Sequence, residues 1–330
     1  MTRVLPSADK ERPYVGLYRS GELQRRAELA WRSLGHCELC PHRCGVDRPG
    51  GELGRCRSGA QPVVASRYLH PWEEPPISGT RGSGTIFFSG CAGRCVFCQN
   101  YPISQLGVGR EVGVKGLAEM MLDLQRRGAH NINFVTPSHW AAAFLAALPL
   151  AVERGLRLPL LYNASGYERV ETLYWLEDVI DIWLPDSKYA DDDVANRLSG
   201  MPDYVRHNRA ALLEMFRQVG PELVLDDQGI AVRGMIVRHL VLPGGLAGTA
   251  QVMAWLADNL SRQVHVSLMN QYFPAHLVQP SLVGPDGVAE DPLLGRKVTE
   301  AEYDAAFDAL SAAGLENGWV QGEQGSSECD

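Results

Sequence analysis

The chain has 330 residues, of which 45% are hydrophobic and 21% charged. That length and balance suit one large domain or two small ones with a real core, and exclude a wholly disordered chain. The net charge of −8 argues against bulk binding to a nucleic-acid backbone.

Met1 to Pro13 is charged and lacks an apolar leader core, so a cytoplasmic location is expected. Residues 16–34 read as a helix carrying Leu17, Leu23, Ala27, Ala30 and Leu34. Residues 35–84 are rich in Gly, Pro, Arg and Cys and read as a loop-rich segment without a core of its own. Within it, Glu73 and Glu74 are expected on a solvated loop; general bases or substrate contacts are the other reading.

From residue 85 the pattern becomes an alternation of strands and helices. Strands are predicted over 85–88, 132–135, 158–162, 179–184, 235–242 and 264–269. Helices are predicted around 117–124, from 138, over 168–176, twice within 191–219, and over 248–260. Residues 226–229 suit a hairpin turn. The longest apolar run, 141–152, is interrupted by Pro149 and is too short to cross a bilayer, so no membrane association is expected. A capping box, Thr299 with Glu302, opens the last helix, and a polar tail follows from Gln321. Six β/α units imply a parallel sheet with helices outside, and an incomplete barrel rather than one of eight units. The expected division is 1–84 as helix and Cys-rich segment, 85–275 as core, and 276–330 as helix and tail.

The eight cysteines are clustered. In a long chain without an export signal, such clusters favour metal ligation over disulfides. Cys91, Cys95 and Cys98 follow directly on the first core strand, where loops carry chemistry in a parallel barrel. Three thiolates leave one iron of a four-iron cluster open, whereas four close it. A structural zinc site or three buried thiols are the other readings. Cys37, Cys40, Cys44 and Cys56 make a second set, and four thiolates suit zinc and a closed iron–sulfur cluster equally. A metal there supplies folding energy that packing does not, and four free buried thiols are the other reading. Cys329 stands alone in the tail and is expected to be inert; His42 is the one histidine lying among cysteines.

With Phe97 before the last cysteine, the Cys91–Cys95–Cys98 motif resembles the signature of radical S-adenosylmethionine enzymes. The stretches 82–91, 98–104, 131–139, 162–168, 184–189 and 238–244 resemble the subgroup homologous to pyruvate formate-lyase-activating enzyme. The resemblance implies a partial (β/α)6 TIM-like barrel, a [4Fe-4S] cluster on the three cysteines, and S-adenosyl-L-methionine bound at the open iron. It also implies an electron donor of flavodoxin or ferredoxin type.

Residues expected at the cofactor are Thr136, Asn163, Ser165, Asp186, Lys188 and Gln271 at strand ends and Arg238 inside a strand, together with Phe97. Turn chemistry for Asn163 and Ser165, a surface ion pair for Asp186 and Lys188, a salt-bridged core arginine for Arg238 and a helix or loop cap for Gln271 are the other readings. The Asp186-x-Lys188 pattern resembles the pair that contacts the cofactor in activating enzymes. Arg238 and His239 are adjacent in one strand, so alternation turns only one of them inward. Thr136-Pro137-Ser138 stands where many such enzymes carry Gly-Gly-Glu, so the acidic contact to the methionine amino group is missing. The expected reaction is reductive cleavage of the cofactor followed by hydrogen abstraction. A glycyl-radical enzyme is one target that the resemblance implies; another protein, a peptide or a small molecule are others. A non-catalytic iron–sulfur protein for electron transfer or sensing is the alternative outside enzymes.

Overall fold

The structure, a computed structural model, describes residues 3–4, 11–278 and 291–321. Cys329 and the tail beyond Gln321 lie outside the described residues. Residues 16–34 are not one helix. Gly21 adopts φ +80°, a left-handed conformation that ends α1 (Pro13–Arg19) and starts α2 (Glu22–Arg32). A short 3-10 turn, Ser33–His36, leads into the cysteine-rich segment.

The fold is α/β on a mostly parallel sheet. Its strands of three residues or more are β1 (Val63–His70), β2 (Ser83–Phe88), β3 (Ile132–Val135), β4 (Leu160–Ala164), β5 (Ile182–Pro185), β6 (Ala231–Leu240), β7 (His265–Met269) and β8 (Gly318–Val320); Arg3–Val4, Arg110–Glu111 and Val224–Leu225 add two-residue strands. Strands β2 to β7 lie side by side in chain order, all parallel. They correspond to the six expected β/α units, with β4 and β5 starting two or three residues later than their apolar runs. The 226–229 turn does form a hairpin, between Val224–Leu225 and β6.

Two strands of this sheet come from segments read as strandless. β1 pairs antiparallel with β2, and β8 pairs parallel with β7. β1 mixes Ser, Arg, Tyr and His and is half-exposed, so it lacks the apolar continuity of a central strand. The residues before 84 therefore share the core sheet rather than standing apart from it.

The connecting helices are α3 (Gly113–Arg126), α4 (Ala141–Glu153), α5 (Val170–Tyr174), α6 (Asp192–Ser199), α7 (Tyr204–Val219), α8 (Thr249–Asn259) and α9 (Glu300–Ala312). The capping box at α9 is made: Glu302 N–H donates to Thr299 Oγ1 at 3.3 Å, and Thr299 N–H donates to Glu302 Oε2 at 2.9 Å. Alternation splits the strands into two buried faces. Phe134, Tyr162 and Trp183 face the helices; the Phe134 and Phe144 rings stack at 4.8 Å. Leu161, Ile182, Leu184 and Ile236 face the other way and form a separate cluster with Ile77 and Leu223. No helix among the described residues is long and apolar enough to cross a membrane.

Candidate metal and cofactor site

Because β2 to β7 are parallel, the residues that follow them gather at one sheet edge. This edge carries the Cys91–Cys98 loop after β2, Thr136 after β3, Ser165 after β4, and Asp186 and Lys188 after β5. Gln271 follows β7. Asp186 bridges to Arg238 of β6 across the backbone.

The cysteine loop is held by the end of α6. A helix leaves its last carbonyls without internal partners. Here Ser199 O accepts from Arg94 N–H at 2.7 Å, and Leu198 O accepts from Val96 N–H at 2.9 Å. Each sulfur has a donor or a hydroxyl beside it. Gly93 N–H lies 3.3 Å from Cys91 Sγ, Ser199 Oγ donates to Cys95 Sγ at 3.0 Å, and Ser104 Oγ is 3.2 Å from Cys98 Sγ. Gly93 sits between two of them: a Cβ there would be 3.7 Å from both Cys91 Sγ and Cys95 Sγ, and would strike Met201. Burial, reinforced by Cys95 and Cys98, pushes the Cys91 thiol up to about 12. Such a thiol is a poor free nucleophile at neutral pH.

Lys188 forms an ion pair with Asp186. Burial works against its ammonium, but Asp186, Cys95 and Cys91 outweigh burial and raise its pKa. Tyr204 OH fixes the loop by accepting from Lys188 N–H at 2.9 Å and donating to Ser165 O at 3.0 Å. Phe97 is buried edge-on to Tyr272, ring centroids 5.7 Å apart. Thr136 has φ +57°, which is strained for a β-branched residue. Its N–H donates to Asn163 O at 2.8 Å. Gln271 is exposed, and its carbonyl accepts from Gln99 Nε2 at 2.8 Å.

The choice between Arg238 and His239 is decided. His239 lies among the helices, with Nδ1 2.6 Å from Ser187 O and Nε2 2.9 Å from Thr249 Oγ1. Arg238 faces the opposite side, its Nη1 3.5 Å from Asn163 Oδ1. Glu73 and Glu74 are not on a solvated loop. Both carboxylates turn inward and pair with Arg238. Burial opposes charge on Glu74, yet Arg238 prevails and holds its carboxyl below the usual range.

Cys37, Cys40, Cys44 and Cys56 border one small cavity together with Arg48 and His139. Cys37 and Val46 close the turn, Cys37 N–H to Val46 O at 3.0 Å, and Arg55 N–H donates to Cys44 Sγ at 3.3 Å. Burial, then the other three cysteines, raises the Cys40 thiol pKa. Among the described residues His42 joins no metal-like set: its Nε2 is 2.9 Å from Ala92 O, which ties this segment to the Cys91–Cys98 loop. Gly90 seals the same junction. It has φ +84°, and a Cβ would lie 3.0 Å from Cys56 O and 2.8 Å from Ser58 Oγ.

Among the described residues, no three Cys, His, Asp or Glu side chains converge on a single ion as they are placed. A cluster of several irons asks for something else, one sulfur at each of three corners. By ligand type and number the three thiols of this loop suit that demand; Cys91 Sγ and Cys95 Sγ flank Gly93, and Cys98 Sγ lies beside Ser104. The four N-terminal sulfurs fit a soft-metal site by ligand type and by their shared cavity. Ser199, Tyr204, Arg48 and His139 complete these surroundings. Their parts rest on long-range packing and carry no local sequence signal.

No family model matches the chain. It is 28% identical over 307 residues to an uncharacterized protein of Methanocaldococcus jannaschii, MJ0674, a match that covers 89% of this chain and 80% of that protein.

Proposed function

We propose that the chain is a radical S-adenosylmethionine enzyme on a partial (β/α)6 barrel. The observation that carries this reading is the Cys91–Cys95–Cys98 loop, set directly after the first of six sequential parallel strands, with the Lys188–Asp186 ion pair on the loop after the fourth of them. The barrel is supported by the two faces of the sheet. The helices share one face, and the other is buried against Ile77 and Leu223 rather than a second helical layer.

In this reading Cys91, Cys95 and Cys98 hold a [4Fe-4S] cluster. When bound, it supplies one electron to S-adenosylmethionine, whose cleavage yields the radical that abstracts hydrogen. The residues of the chain do the rest. Lys188 offers its ammonium to the methionine carboxylate, with Asp186 holding it in place. Asn163 and Ser165 present polar groups from the end of β4. The strained Thr136 turn places backbone where an acidic side chain is missing. Gly93 N–H and Ser199 Oγ stabilise charge on the sulfurs.

Cys37, Cys40, Cys44 and Cys56 hold a second centre, of zinc or of iron and sulfur, which orders residues 35–62 against the barrel edge. Hydrogen abstraction from a glycyl-radical enzyme, another protein, a peptide or a small molecule is compatible with this site, as is a reductant of flavodoxin or ferredoxin type. The test is anaerobic reconstitution with iron and sulfide, then incubation with S-adenosylmethionine and dithionite. Formation of 5′-deoxyadenosine is the expected result. A reconstituted, cluster-bearing protein that forms none overturns the reading and leaves electron transfer or sensing.

A further inference from the structure

Arg238 is not balanced one for one. Glu74 takes it bidentately, Nε to Oε1 and Nη2 to Oε2, both at 2.7 Å. Glu73 pairs with the same Nη2 through Oε2, while its Oε1 accepts from Asn133 Nδ2 at 2.9 Å. Two carboxylates face one guanidinium, a surplus of one negative charge, where the Glu73 and Glu74 side chains are only 6% and 5% exposed. Lys188 does not offset it, being paired with Asp186. A buried charge without a partner is costly, so a site built this way calls for a cation.

A second observation points to a ligand. Asn133 is fully buried, and its Oδ1 has no hydrogen-bond partner. Its orientation follows from chemistry: a carboxylate only accepts, so the NH2 turns to Glu73 and the carbonyl is left over. Surplus negative charge and a spare acceptor thus lie side by side. A metal ion suits the place poorly. All four carboxylate oxygens already accept a hydrogen bond, and no three ligating side chains among the described residues converge on one ion.

We propose that Glu73, Asn133 and Glu74 form a subsite for a cationic group of the substrate, a primary ammonium or a guanidinium. The proposal rests on the reading of this inner face as the reaction chamber. The group donates N–H to Asn133 Oδ1 and to the free lone pairs of Glu73, and its charge cancels the surplus. Arg238 holds both carboxylates in place through its ion pairs. It is thereby engaged, and is not a free partner for the methionine carboxylate.

The test is calorimetric titration of the reconstituted protein with Nα-acetyl-lysine amide, Nα-acetyl-arginine amide and neutral Nα-acetyl-norleucine amide. At least one cationic probe is expected to bind about tenfold or more tightly than the neutral one, and Glu73→Gln to remove that preference. The wild-type comparison stands even if the variant fails to fold. Equal binding of all three probes, no binding, or displacement of the probe by potassium chloride at constant ionic strength overturns the proposal. Formation of 5′-deoxyadenosine by the same preparation is scored separately. Cofactor cleavage without cation preference leaves the radical reading and removes this one; the converse removes the radical reading and leaves a cation site.

Discussion

Ser199 Oγ donates to Cys95 Sγ at 3.0 Å and is itself 2.6 Å from Tyr189 OH. A hydroxyl from the end of α6 thus reaches a cysteine more than a hundred positions away. Hydrogen bonds to cluster sulfurs raise reduction potential. Ser199→Ala is expected to make the proposed [4Fe-4S] cluster harder to reduce while leaving iron content unchanged, as read by potentiometric titration. The serine variants of Cys91, Cys95 and Cys98 should each abolish 5′-deoxyadenosine formation. Near-normal turnover in any one of them rules out the ligand assignment.

Lys188→Ala should weaken S-adenosylmethionine binding without loss of iron. A charge-assisted hydrogen bond contributes about 1.5–3 kcal/mol, which corresponds to roughly 10- to 150-fold in affinity. Equilibrium binding to the reconstituted variant measures this, and an unchanged affinity places the cofactor carboxylate elsewhere.

Replacing Cys37, Cys40, Cys44 and Cys56 together by Ala should remove one metal centre and lower the melting temperature, with the first cluster retained. Metal analysis of anaerobically purified wild-type protein identifies the centre. About one zinc with about four irons means a zinc site, and about eight irons without zinc means a second cubane. Full metal content in the quadruple variant removes the second site.

Glu168 gives the fold a pH dependence. It is fully buried, and burial pushes its carboxyl up to about 7 against the hydrogen bonds from Ser138 and Tyr162. Between the ordinary value of 4.5 and about 7, the folded chain keeps a proton that the unfolded chain has lost. Stability therefore falls as pH rises through that window, by about 3 kcal/mol for this group. Glu168→Gln should flatten that part of the profile and raise stability at pH 8, as measured by urea denaturation between pH 4.5 and 8. A variant with the wild-type slope shows that Glu168 is ionised throughout.

Much of the architecture is a local property of the chain. Period-2 and period-3.6 apolar patterns mark the strands β2 to β7 and the helices between them, because each element selects side chains for one face. The cysteine spacings and the Thr299–Glu302 box are equally local, since both are set by contacts within one loop or one helical turn. Gly21 breaks the expected 16–34 helix for a reason visible only in its φ, as glycine also occurs inside helices.

Other features depend on which segments meet. Alternation puts one of Arg238 and His239 inward; the pairing of β6 with β5 and β7 makes it Arg238. Val63–His70 is a strand because β2 offers it a free edge, which no window of its own residues reveals. Glu73 and Glu74 sit in a Pro-rich polar stretch, and Arg238 and Asn133 within the sheet pair with their carboxylates and make the burial tolerable. The sequence by itself determined the order of strands β2 to β7 and the clustering of the cysteines, because those follow from short-range periodicity and spacing. The tertiary structure alone decided the charge balance around Arg238 and the hydroxyl beside Cys95, because a buried charge or thiol is governed by neighbours far away in the chain.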